Sequence, residues 1–132
     1  MRIQNLSNIE NILRYSHNDP DSDGVWLESL WSNIRTGNPH FTLNESFEAL
    51  IVVLRFLLQN DLIYFMKNDD KQQKVINWKM EGEDVLSKLK NYLSNFNERE
   101  IKKNPAFLDM FEYPAINWTV KWPLNLEKYG LQ

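Results

Sequence analysis

Cysteine is absent from the chain. Disulfide frameworks, thiolate metal sites and cysteine nucleophiles are excluded together, and the composition fits a reducing compartment, the cytoplasm. Glycine is scarce, at four residues, so loops that approach phosphates through bare backbone are not expected. Neither a Gly-rich phosphate loop nor a Gly-x-Ser-x-Gly elbow occurs. The two histidines, His17 and His40, fall in expected loops and form no metal-binding helix motif or serine triad. The longest apolar run, Ala49 to Leu54, is cut by Arg55. Even extended to Leu58 it falls short of the roughly 18 residues a membrane helix needs. The N-terminal stretch Met1 to Leu13 has no continuous apolar run or cleavage site, so it reads as neither a secretory signal nor an anchor. A basic excess is also missing. Fifteen Lys plus Arg stand against eighteen Asp plus Glu, a net charge of −3, which disfavours nucleic acid as partner.

What is present reads as one domain, residues 1–132, long enough to bury roughly two-thirds of its unfolded surface. Ile3, Leu6, Ile9, Ile12 and Leu13 recur at helical spacing and predict a first amphipathic helix ending before His17. A second helix is expected from near Asp23, with Leu27, Leu30, Trp31 and Ile34 on one stripe and Gly37 as its left-handed terminator. Thr42 and Glu45 have capping-box spacing and open a third helix, 43–60, apolar on almost every side and therefore central. Leu62 to Met66 and Val75 to Met80 predict a β-hairpin across the polar connection Lys67 to Lys74. Val85, Leu89, Tyr92, Leu93 and Phe96 share a face of a helix over 83–96, and Asn97 with Glu100 marks a further helix start before Asn104-Pro105. Ile116, Trp118, Val120 and Trp122 alternate with polar residues as a strand that Pro123 ends. The expected fold class is α+β, a predominantly helical domain with a small antiparallel sheet made of the hairpin and this C-terminal strand.

Chemistry-bearing groups are sparse. Glu45 with Glu48, and Glu81 with Glu83, are explained by helix-start charge preference, so no catalytic residue, cofactor or metal is assigned. Asp19-Pro20-Asp21-Ser22-Asp23-Gly24 begins like an EF-hand loop, but position twelve, which should be a bidentate Glu, is Leu30. An acidic turn followed by a helix start accounts for it. The first sixty residues carry four Arg and no Lys against seven acids, while the remainder carries eleven of each sign. Acidity is thus concentrated around Asp19, Asp21, Asp23 and Glu28, where it would steer a basic partner. Five tryptophans exceed what a core of this size usually needs. Trp26 precedes the helix stripe and suits an interface or partial burial equally, whereas Trp118 and Trp122 are expected in the core.

The segments FEALIVVLRFLLQNDLIYFMKND and FEYPAINWTVKWP, with Leu57 to Ile63 and Pro114 to Trp118 as their most specific pieces, resemble a family of small bacterial proteins, domain-of-unknown-function family 596. The resemblance spans roughly residues 25–122. It implies an immunity protein of a contact-dependent or polymorphic toxin system, one that binds a cognate toxin domain and masks its active site. The family supplies no catalytic residues. An acidic, non-catalytic domain of this kind suits a basic nuclease cleft, with Asp19, Asp21, Asp23, Trp26 and Glu28 as the toxin-facing candidates. The rival expectation is a winged-helix DNA-binding regulator, since helices followed by a hairpin, here with three lysines in its connection, also lay out that fold.

Overall fold

A computed structural model describes residues 1–20, 24–68, 73–76 and 81–131. The chain is α+β, mostly helical with one small antiparallel sheet. Its first apolar stripe does not make a single helix. Ile3–Asn5 forms a 3-10 turn, Asn8 is left-handed at φ 61°, and helix α1 covers only Ile9–Tyr15. The cause lies far along the chain, at Asn38, which is 1% exposed. Its Oδ1 accepts the Ser7 N–H at 2.8 Å and its Nδ2 donates to the Ser7 carbonyl at 3.1 Å. With both backbone groups of Ser7 committed sideways, the i to i−4 ladder cannot pass through it. Asparagine at position 8 tolerates the left-handed step. Ile3, Leu6, Ile12 and Leu13 still reach the core.

Helix α2, Leu27–Gly37, begins four residues later than expected, because Val25–Trp26 is strand β1. Gly37 is helical, not left-handed, and Asn38 at φ −135° terminates the helix. The glycine is used for approach: a Cβ there would lie 3.2 Å from Ile12 Cδ1, so α1 and α2 pack closely at this point. Helix α3, Leu43–Gln59, has the expected capping box. Thr42 Oγ1 accepts the Glu45 N–H at 3.1 Å, and Glu45 Oε1 accepts the Thr42 N–H at 2.9 Å. Ala49, Leu50, Ile51, Val53, Leu54, Leu57 and Leu58 are buried around its circumference, as a central helix requires. It ends in a Schellman turn, with the Leu62 N–H on the Leu57 carbonyl, the Asp61 N–H on that of Leu58, and Asp61 left-handed at φ 56°.

Strands β2, Ile63–Asn68, and β3, Gln73–Ile76, form the hairpin, with Lys67 opposite Lys74 and not in the connection. Asn77 to Met80, expected to extend β3, lie outside the described residues. Helix α4, Glu83–Leu93, stops short of Phe96, and α5, Glu98–Lys103, opens with the Asn97–Glu100 capping box. A 3-10 turn, Phe107–Met110, leads to strand β4, Ala115–Trp118. The sheet order is β1-β4-β2-β3. In register, Val25, Ile116, Phe65 and Ile76 make one row, while Trp26, Ala115, Met66 and Val75 make the next, on the opposite face. Ile116, Phe65 and Trp118 are buried against the helices.

Strand β4 is shorter than its alternating pattern predicts, ending at Trp118 and not Trp122. Its neighbour β2 starts at Ile63 directly after the α3 terminator, so nothing remains to pair beyond Thr119, whose N–H meets the Leu62 carbonyl at 2.9 Å. Trp122 is therefore half-buried, against the expectation of a core position. Replacing Asn38 by alanine leaves both Ser7 groups and the Ile34 carbonyl without their side-chain partner and should cost about 2–3 kcal/mol. Alanine at the exposed Asn91 should change stability by less than ~0.5 kcal/mol. Urea denaturation of the two variants beside the parent protein measures both.

Candidate interaction surface

Residues 16–18 and 24–26 lie beside β4 and its continuation, with β1 antiparallel to β4. Buried Trp118 donates its indole Nε1–H to the Ser16 carbonyl at 2.8 Å, and the His17 ring donates from Nε2 to the Val120 carbonyl at 2.7 Å. The His17 ring also packs on Trp118, 4.8 Å between centroids, and on Trp122, at 5.7 Å. Asn18 then takes the place of a strand partner: its Oδ1 accepts the Trp118 N–H at 3.2 Å. Its Nδ2 donates to Asn117 Oδ1 at 2.7 Å, and Asn117 passes the chain on to the Tyr64 hydroxyl at 2.8 Å. Further along, Gly24 at φ 96° sits so close to the sheet that a Cβ would lie 2.8 Å from the Ile116 carbonyl and 2.9 Å from Met66 Sδ. Val25 and Trp26 complete the strip by pairing with Ile116 and Ala115.

This geometry explains the glycine of the EF-hand-like pattern without an ion. Contact with the Ile116 carbonyl requires it. Among the described residues, no group of three or more His, Cys, Asp or Glu could hold a metal. Asp21 and Asp23 lie outside the described residues. The other candidates occupy the two ends of the strip. Asp19, exposed, lies beside His17, Lys121 and Trp122 at a shallow cavity of about 230 Å³. Trp26 is 51% exposed at the far end, opposite Ala115, and Glu28 follows in the first turn of α2. His17 lies beside Val120 and Trp26 beside Ala115. The strip between them is therefore about 16 Å long at ~3.3 Å per residue. Among the described candidates, Asp19 and Trp26 thus stand apart and do not cluster. No side chain caps the start of α2, so the Glu28 carboxylate there sits favourably in the helix dipole.

Three other carboxylates have structural partners. Glu45 is held below the ordinary glutamate range by its hydrogen bonds to Thr42. Glu83 binds Arg55 at 2.7 Å. Glu112 is held low chiefly by the hydrogen bond from Lys67, against a smaller opposing effect of burial and with help from Lys88. Burial, seconded by Asp109, raises the Tyr92 hydroxyl, which donates to the Phe107 carbonyl. None of these groups faces a second reactive side chain across a cavity.

The sequence nominated the acids and Trp26 but missed Asn18, Asn117, Tyr64 and His17. Asn117 carried the one available signal, a polar residue flanked by two that are buried. No family model, no curated protein and no solved structure matches this chain. Among the described residues no helix is long and apolar enough to cross a membrane.

Two outcomes are expected. Gly24→Ala forces a side chain into backbone at a positive φ and should destabilise by about 2–4 kcal/mol, measurable as a lower urea midpoint. Glu112 and Glu45 have folded-state pKa values below the ordinary 4.5. Their stabilising contribution is complete above that value and is lost as pH falls through the lower folded-state values. Glu112→Gln should therefore flatten the fall of stability below about pH 4.5, read from denaturation midpoints across an acid series.

Proposed function

We propose that this protein is an immunity-type inhibitor that binds a cognate toxin domain of a contact-dependent or polymorphic toxin system and masks its active site. The strip from Asp19 to Glu28 is its contact surface. The observation that carries this reading is Trp26, a large aromatic left half exposed on backbone that is paired into the sheet. A rigid aromatic with acids on either side in the chain is the arrangement that anchors and steers a basic partner. Such an inhibitor acts by occupancy and needs no catalytic group or cofactor, and its place of action is the cytoplasm, where the toxin arrives.

The winged-helix alternative draws less support. A recognition helix must present a polar, basic face to the major groove. The exposed positions of α3 are Asn44, Glu45, Glu48 and Gln59, and its one base, Arg55, is engaged by Glu83.

Co-expression of the tagged protein with the untagged product of the adjacent upstream reading frame tests the proposal. A stoichiometric complex is expected, with a partner that is lethal alone. Within that complex, Trp26→Ala should weaken affinity by about thirtyfold, as loss of an aromatic anchor does. Asp19→Lys should act through a slower, less salt-sensitive association rate. The surface assignment fails if Trp26→Ala and Asp21→Lys both leave affinity intact. Failure to co-purify any partner, together with retardation of duplex DNA, would overturn the inhibitor reading itself.

A further inference from the structure

Helices α3 and α4 pack antiparallel. Arg55 meets Glu83 at one end, and the Asn44–Glu48 turn lies across from Lys90 and Ser94 at the other. Between them runs an open groove of about 420 Å³ floored by Phe47, Ile51, Val52 and Leu93. At Val52 and Arg55 it adjoins a second depression of about 260 Å³, floored by Ile3 and Phe56 and reaching Gln59. From Asn44 to Gln59 the two follow α3 for about 22 Å at ~1.5 Å per residue. The whole is long, narrow and apolar along its base.

Its charges are distinctive in an acidic chain. Glu48 is neutralised by the Met1 ammonium at 2.8 Å, and Glu83 by Arg55 at 2.7 Å. Among the described residues, the rim charges left without an ion-pair partner are both cations, Lys90 at one end and Arg2 at the other. A linear apolar floor with unpaired cations at its ends is complementary to a molecule with one aliphatic chain and an anionic head.

We propose that this groove binds a medium-chain aliphatic carboxylate, its head paired with Lys90 and its chain lying over Ile51 and Val52 toward Phe56. The site is separate from the Asp19–Glu28 strip and does not rest on the inhibitor reading. Decanoate, kept below its micellar concentration, is the probe, and the amide spectrum of the ¹⁵N-labelled protein is the readout. Shifts should be confined to residues 44–59 and 90–94, together with residues 2 and 3. Decanoate should bind at least about tenfold more tightly than decanol or decyltrimethylammonium, and Lys90→Glu should remove that preference. Lys90 is exposed, so its replacement leaves the fold intact, and the unperturbed spectrum of the variant verifies this. Val52→Asp, on the half-buried floor, should abolish binding of all three amphiphiles.

The proposal is overturned by equal binding of the three amphiphiles, by shifts centred elsewhere, or by a Lys90→Glu variant that binds decanoate unchanged. Capture of the protein by anionic vesicles without any response to decanoate would assign the groove to a membrane surface instead. Displacement of decanoate by a more tightly bound acidic amphipathic peptide would make it a helix-docking groove.

Discussion

Two-sided pairing of β4 is the constraint on which the rest depends. Only four residues long, it gives one edge to β2 and the other to β1, Ser16 and Asn18. Its core-facing side chains, Ile116 and Trp118, fill the space between the sheet and the helices. Its other face carries Asn117, which is 6% exposed and fully engaged with Asn18 and Tyr64. Burying such an amide is tolerable only because each of its polar atoms has a partner. The strand therefore fixes where Asn18 sits, where β1 pairs and how far Trp26 projects.

The surface charges contribute much less. The ion pairs Arg14–Glu10, Arg35–Glu98 and Arg55–Glu83 are substantially exposed, and pairs of this kind contribute at most about 1 kcal/mol each. Apolar packing around α3 and the polar network beside β4 carry the specificity of the fold. Aromatic contacts reinforce it: Trp31 lies 5.2 Å from Phe47 and 5.7 Å from Phe107, joining α2 to α3 and to the 3-10 turn before β4. The excess of tryptophan in the composition thus has two explanations. Trp31 and Trp118 are structural, whereas Trp26 is left at the surface.

Features set by neighbours in sequence were legible before the structure. The Thr42–Glu45 and Asn97–Glu100 capping boxes, the all-round apolarity of α3 and the hairpin pattern each depend on residues a few positions apart. Features set by distant partners were not. The interruption of the first helix originates in Asn38, 31 residues from Ser7. Gly37 looked like a helix terminator because glycine usually is one there, yet its value here is the space it leaves for Ile12. The early end of β4 follows from where α3 stops, which the alternation of Ile116 to Trp122 does not encode. For the candidate surface, composition pointed to the acids and Trp26. The separation of Asp19 from Trp26 depends on pairings about a hundred residues apart, such as Asn18 with Asn117, separated by 99.

That separation has a consequence for synthesis. Residues 16–20 and 24–26 are made well before the strand they lie against, residues 115–118. Until β4 docks, Asn18 and Trp26 lack the backbone they pair with. A chain that stops before residue 115 keeps the sequences of its long helices and hairpin but lacks the template for the strip. That stretch of surface is therefore formed only by a chain that extends through Trp118.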